Sequence, residues 1–490
     1  MVRLLAWEKM TEEEQALAQF VQGILNRKGY KIFIDIDNYK LFLKEDSRET
    51  DLWALLKETA SEFAGAVSYD LDCNDVSINM AATISGATDL VGVPRAIIEK
   101  VNAIGIKTVC DLAEIKGSNA ERQKAVFDAV KDKLNRTALV HQVVKEGNFH
   151  LVLRDFSIAN RWVCIYTSES EEDRRFRCEV LSWLNTNVPV YGWNDDEIAF
   201  IKDISSFGDY AIPTDKSSNH SYFGKNIFTV KQSTPRTEVA ENKHYLAIVV
   251  SDGDNIQWLE RDYYTTGIFG QRQEGAVDYK ISWTFSPSLA ELCPAAAEKI
   301  YSSAKKDYFI SGVSGVGYAN CLSYPREYLD EFTERTSAAM RDSDLSVVCL
   351  LDNIALTEDS GFVKDRLSSY AKYDNIEGGI WELDPDRYSS GHGKIFWACG
   401  KPFVSVRFTL WHPSCKNENV TKEWLDGIAE SINNMPVSPY KEEGYTVLNV
   451  HPWSTTIENL NYLISKLDDH IELVYADELI QMIKKRLGDK

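Results

Sequence analysis

Asp252, Asp254, Asp352 and Glu382 each close or follow a short apolar run: YLAIVV leads into SDGDN, LSVVCLL into Asp352, and GGIW into Glu382. Paired carboxyl groups are the equipment of glycosidic bond cleavage. One protonates the leaving oxygen, and the other attacks the sugar or activates water. At comparable places after apolar runs stand Asn255, Trp258, Trp381, Arg407, Trp411, His451 and Trp453, with Gly315, Gly317 and Tyr318 in the segment SGVSGVGY. Tryptophan rings would form a platform for the apolar faces of sugars, while Tyr318 and Arg407 would bond their hydroxyls. The set points to an enzyme acting on a polyhydroxylated substrate, with Asp252 or Asp254 paired with Asp352 or Glu382.

Each residue alone has a plainer reading. Asp-Gly-Asp-Asn is good turn chemistry, and the further acidic ligand of an EF-hand loop is missing. Asp352 can cap a helix, Glu382 can be a loop acid, and His451 can be a satisfied core histidine. Their shared position after strands sets them apart. The glycine-rich segment has neither the Lys-Ser/Thr of a P-loop nor the dinucleotide spacing. Close approach of backbone to a ligand or to a packed wall is the better reason for its glycines. No GxSxG, HExxH or HxxxH motif occurs. No cofactor is required by this set. A divalent ion shared by Asp252 or Asp254, Asp352 and His451 stays open, and so does a non-catalytic sugar-binding protein.

These residues need a scaffold that brings strand ends together. From His244 onward apolar runs alternate with helical patterns: 245–250, 278–285, 307–312, 345–352, 378–383, 401–408, 444–450 and 471–475. That rhythm predicts a parallel (β/α) barrel or open barrel over 236–490, its active face at the carboxyl ends of the strands. Upstream the rhythm is also α/β, and two smaller domains are expected over 1–115 and 116–235. Thr11 and Glu14 form a capping-box pattern before a helix, KIFIDID (31–37) reads as a strand, and LVLRDF (151–156) reads as another. The polar run 231–243 reads as a linker. Trp193, Asp195, Asp196 and Glu197 form the one dense cluster of the leading blocks, which reads as a solvated loop and helix start.

Composition bounds the function classes. The chain carries 74 acidic and 54 basic residues, a net charge of −20, which argues against nucleic acid and anionic membranes. Its 12 Trp, 23 Tyr and 20 Phe lean towards carbohydrate. Nine dispersed cysteines without a CxxC read as reduced thiols. MVRLLAWEKMTEEEQ holds no apolar run ahead of its acidic residues, so the expectation is a cytoplasmic protein, or a secreted or periplasmic one if a signal was removed. A homo-oligomer is left open.

Taken in order, these stations resemble the GxGYxYP family of glycoside hydrolases over nearly the whole chain. The resemblance rests on VVSDGDNIQW, WTFSPSLAELCP, SGVSGVGY followed by YP, KPFVSVRFTLW and GYTVLNVHPWS. Upstream it rests on FVQGILNR, SINMAATISGATDLVGVP, YGWNDDE and FGDYAIPTD. The family's Tyr-x-Tyr-Pro is contiguous, whereas ANCLS separates Tyr318 from Tyr324 and Pro325 here. The resemblance implies a glycoside hydrolase with a distorted barrel similar to polysaccharide deacetylases and α-mannosidases.

Overall fold

The computed structural model describes residues 1–37, 39–72, 75–142, 153–223, 230–234, 238–263, 265, 267–275, 279–354, 356 and 360–488. It is a mixed α/β chain with parallel sheets. Two compact units divide it, Met1–Ile227 with Glu291–Ala295 and Phe228–Ala290 with Ala296–Lys490. The stretches 1–115 and 116–235 fall in the first unit as far as Ile227, and 228–235 belong to the second. No described helix is long and apolar enough to cross a membrane.

The first unit holds three parallel sheets. β1 (Val2–Ala6), β2 (Ile32–Asp35) and β3 (Ser47–Glu49) run in the order β2-β1-β3. β4 (Gly65–Tyr69), β5 (Leu90–Pro94) and β6 (Thr108–Asp111) run β5-β4-β6. β7 (Leu139–His141), β8 (Val163–Ile165), β9 (Pro189–Gly192) and β10 (Tyr210–Ile212) run β10-β9-β7-β8. The first helix, Glu12–Arg27, begins with the expected capping box. Glu14 N donates to Thr11 Oγ1 at 3.4 Å and Thr11 N to the Glu14 carboxylate at 3.1 Å.

The strand expected over 151–156 is not formed where it is described. Residues 151 and 152 lie outside the described residues, and Arg154–Asn160 is a helix. It packs against the first helix at Gly23, where an added Cβ would lie 2.8 Å from Asp155 O. Arg154 and Asp155 are fully buried there, with Asp155 accepting from Ser221 N at 2.8 Å. Hydrogen bonds from the Arg154 Nη atoms to Gln19 and Gln142, and to Asp155 from Ser221 N, let a helix enclose residues whose short apolar alternation suggests a strand.

The second unit contains β11 (His244–Val250), β12 (Ile281–Phe285), β13 (Asp307–Ser311), β14 (Val347–Asp352), β15 (Gly378–Leu383), β16 (Ile395–Ala398), β17 (Lys401–Ser405), β18 (Phe408–Leu410), β19 (Tyr445–Val450) and β20 (Ile471–Val474). One sheet runs β13-β12-β11-β19-β18, with β20 also on β11. The other runs β14-β15-β17-β16, antiparallel only between β16 and β17. Alternate residues of both sheets share one core: Tyr245, Ala247 and Val249 of β11, Val347 and Cys349 of β14, Val404 of β17, and Tyr445 and Val447 of β19. The helix Ala476–Leu487 adds Leu479, Ile480 and Ile483 to it. The run read as one strand over 401–408 breaks after Ser405, leaving β15 and pairing from Phe408 with β19.

Candidate active site

β11 is buried on both faces, so it delivers the turn Ser251–Asn255 to a fixed place. Asp252 takes a left-handed conformation with φ 65°, which Asp tolerates better than most residues. Gly253 cannot be replaced without displacement, because a Cβ there would lie 1.7 Å from Thr284 O. Its N–H donates to Thr284 Oγ1 at 2.8 Å, and its carbonyl accepts from Ser286 N at 2.6 Å. These bonds stitch the turn to the end of β12. Asn255 caps the helix Ile256–Glu260 by accepting from Trp258 N at 3.2 Å.

Asp252 and Asp254 are thereby held half-buried. Asp252 accepts from Ser251 Oγ at 2.5 Å and from Trp453 Nε1 at 3.0 Å. Trp453 is 49% exposed, and its other neighbour is the buried ring of Trp258 at 4.9 Å. Asp254 sits over Gly312 at the end of β13, where an added Cβ would be 3.1 Å from Asp254 Cα.

Glu382 enters from β15 and is fully buried. Its Oε1 accepts from Asn449 Nδ2 of β19 at 2.9 Å, while Oε2 has no hydrogen-bond partner in normal reach among the described residues. Burial first, and then the negative charges of Asp252 and Asp254, push its carboxyl well above the usual range. Cys349 of β14 faces it, and burial together with Glu382 pushes that thiol up as well. The outcome is a buried carboxyl, displaced upward from its ordinary range, beside two rim aspartates. Sequence reasoning missed Asn449 and Cys349. The sequence marks each only as a polar or soft residue within an apolar run, and the strand pairing is what turns both inward.

Asp352 is elsewhere. Successive residues of a strand face opposite sides. Cys349 and Glu382 share one face of the β14–β15 pair, and Asp352 with Trp381 takes the other. Asp352 Oδ2 accepts from Trp381 Nε1 at 3.0 Å, and Oδ1 accepts from Leu322 N at 3.0 Å. Its charged neighbour is Arg366, and burial raises its carboxyl to about 7. The expected pairing of Asp352 with Asp252 or Asp254 is therefore not assembled, nor is the metal set that included it. Among the described residues no three His, Cys, Asp or Glu side chains are grouped to hold a metal ion. Trp381 is 0% exposed, with Phe396 packed at 5.1 Å, which leaves no open ring face for a sugar.

The remaining expected residues divide. His451 stacks on Trp411 with centroids 3.8 Å apart and planes 3° from parallel, and its Nδ1 pairs with Ser454 Oγ at 2.8 Å. Burial lowers its pKa against the pull of Asp252, which keeps that carboxylate in its surroundings. Arg407 points elsewhere. Its guanidinium lies against Gly393, and its charged neighbours are Glu442 and Glu443, ahead of β19. It does not join the carboxylates.

Residues 242–484 match the family model described as "GxGYxYP putative glycoside hydrolase C-terminal domain", and residues 138–225 match the one described as "GxGYxYP third domain". The chain belongs to the GxGYxYP family. A search of the curated proteins finds no match. Among solved structures, a "putative hydrolase" from Bacteroides thetaiotaomicron VPI-5482 superposes with a TM-score of 0.83 at 23% identity, over 100% of this chain and 95% of that one. That likeness shows a shared fold. A "putative polysaccharide deacetylase" from Mycobacterium smegmatis gives a TM-score of only 0.33 at 9% identity, over 52% of this chain and 96% of that one, and carries no argument.

The residues behind the GxGYxYP motif build a wall. Gly315 has φ 112°, and an added Cβ would be 2.2 Å from Thr336 Cγ2. Gly317 accepts from Ser314 N at 3.0 Å, and Tyr318 is 2% exposed. Tyr324 is fully buried against Phe332 at 5.1 Å, and Pro325 precedes the helix Arg326–Asp342. The extra residues ANCLS are anchored through Leu322 N on Asp352. The Asp352 carboxylate thus secures the point where this GxGYxYP chain departs from the family pattern.

Proposed function

We propose that the protein is a glycoside hydrolase in which Glu382, with Asp252 and Asp254, carries the cleavage of a glycosidic bond. The observation that carries this reading is the fully buried carboxyl of Glu382, raised by burial and by the charges of the two half-buried aspartates beside it. Carboxyl groups whose surroundings drive them to different protonation states divide acid and base roles at neutral pH. Glu382 gives its proton to the glycosidic oxygen as the bond from that oxygen to the anomeric carbon breaks, releasing an alcohol. Asp252 or Asp254 adds to the anomeric carbon, or takes a proton from the water that does. Glu382 is fully buried, so in this reading substrate entry opens the space above Oε2. Trp453 offers the exposed platform beside Asp252, and the Trp411–His451 stack forms a second aromatic wall. The substrate is a carbohydrate, and the reaction requires no cofactor.

In this reading the two sheets of the second unit are walls of one (β/α) barrel. Two features support it. A parallel bridge, Val313 to Cys349, joins the end of β13 to β14. The 401–410 segment pairs with β15 and then with β19, with Arg407 N donating to Val447 O at 3.0 Å between the two. The carboxyl ends of its strands form the active face, as in other barrels of this kind.

A panel of nitrophenyl glycosides and oligosaccharides, run with and without chelator, tests the proposal. Cleavage of one sugar class is expected, unaffected by chelator and lowered on the order of 10²–10⁴-fold by Glu382→Gln. A wild-type rate in Glu382→Gln, or no cleavage across the panel, would sink it.

A further inference from the structure

The first unit carries a cavity of its own, of about 380 Å³, at the carboxyl ends of the β10-β9-β7-β8 sheet. β7 lies centrally, with the next strand β8 on one side and β9 on the other, so the chain leaves β7 and returns on opposite sides. In open parallel α/β sheets such a reversal of strand order leaves a crevice at the carboxyl ends, and ligands bind there. The cavity occupies that place. Tyr166 and Glu169 follow β8 and line one side; Trp193, Asn194 and Asp195 follow β9 and line the other.

The floor is built and rigid. His141, at the end of β7, is fully buried, with Nδ1 on Trp193 O at 2.9 Å and Nε2 paired with Thr167 Oγ1 at 2.7 Å. Arg177, also fully buried, donates to Thr167 Oγ1, to Glu169 at 2.9 Å and to Asp203 at 2.7 Å. Asn194 donates to Thr167 O at 2.8 Å, which fixes its side chain at the wall. Above this floor, the Tyr166 hydroxyl and the Asp195 carboxylate have no hydrogen-bond partner among the described residues, and both line the cavity.

We infer that this cavity is a second, non-catalytic saccharide-binding site. A half-buried Trp193 and Tyr166 supply flat apolar faces, and carboxylate, amide and phenol oxygens supply acceptors for the hydroxyls of one or two sugar rings. Among the described residues no basic side chain lines the space, and the one cation beneath it, Arg177, is already paired with Glu169 and Asp203, so the described lining offers a phosphate-bearing ligand carboxylates and no free counter-charge. The inference rests on this unit alone and is independent of hydrolysis at the other site. It also assigns a role to the Trp-Asn-Asp-Asp segment, which by sequence reads as a solvated loop.

Binding to the full chain is measured by ligand-observed NMR with glucose, galactose, mannose, xylose and N-acetylglucosamine and their disaccharides, and with inorganic phosphate as the contrasting probe. Trp193→Ala, Asp195→Asn and Trp453→Ala are compared with the unaltered chain, and thermal unfolding checks that each folds. At least one sugar should bind about tenfold more weakly in Trp193→Ala, and measurably more weakly in Asp195→Asn, and both losses should persist when the two substitutions are made in the Trp453→Ala chain, whose other sugar platform is gone. Asp195 is exposed, so its variant keeps the test valid if Trp193→Ala does not fold. Sugar binding that responds only to Trp453→Ala, no binding by any sugar, or phosphate binding at this cavity overturns the inference.

Discussion

Replacing Asp352 by Asn should change stability and not chemistry. The two carboxylate oxygens each accept one N–H, from Trp381 Nε1 and Leu322 N, both at 3.0 Å and both buried. Asn keeps one acceptor and turns an NH₂ towards the other donor, a loss of about 1–3 kcal/mol for an unsatisfied buried group. In a unit of this size that is roughly 2–12 °C in Tm. The sign of the pH dependence follows from burial, which raises the Asp352 carboxyl to about 7. A group raised in the fold contributes stability that is full below its unfolded value, near 4, and is lost as pH rises through about 7. Asn does not titrate. The wild type should therefore exceed the variant by most near pH 4, and the gap should shrink towards about 1–3 kcal/mol, the value for the ionised, two-acceptor carboxylate, as pH rises through about 7. Urea unfolding of both proteins across this range measures the gap. Turnover per folded molecule should stay within about threefold, because Asp352 faces away from Glu382. A pH-independent gap, or a loss of turnover comparable to that of Glu382→Gln, would refute the reasoning.

Three further outcomes are expected. Gly253→Ala should displace the Asp252–Asp254 turn, since its methyl would overlap Thr284 O at 1.7 Å. Both turnover and stability should fall, the latter by about 1–3 kcal/mol in urea unfolding. Trp453→Ala should raise KM roughly tenfold with little change in Tm, as its ring is 49% exposed. Arg272→Met should cost about 3–5 kcal/mol in the same unfolding assay, because it removes the counter-charge of Asp307, which Arg272 Nε meets at 2.7 Å in a fully buried pair, and leaves that carboxylate only neutral donors such as Trp283 Nε1.

The strands of the second unit were legible because parallel strands covered on both faces read as unbroken apolar runs, as in YLAIVV and GGIWEL. The same property hid the site's geometry. In a run apolar on both faces, nothing says which neighbour points inward, so Trp381 and Glu382 look alike and Asp352 looks like a partner of Asp252. Only the pairing of β14 with β15 separates them. Arg407 was misplaced because a switch from β15 to β19 has no mark in KPFVSVRF. The Asp-Gly-Asp turn was readable as a turn, but the need for glycine at 253 comes from Thr284, a residue on another strand. In 151–156 the window was too short to tell a period of two from one of 3.6, and buried Arg154 and Asp155 gave no apolar signal.

The most direct test of the central claim is the leaving-group dependence of Glu382→Gln. An acid that protonates the departing oxygen matters for an alkyl glycoside and little for a dinitrophenyl glycoside, whose phenolate departs without a proton. The kcat/KM of the variant should fall on the order of 10²–10⁴-fold on the alkyl substrate and by less than about tenfold on the activated one. Equal losses on both substrates, or no loss on either, would contradict the assignment of Glu382 as the proton donor.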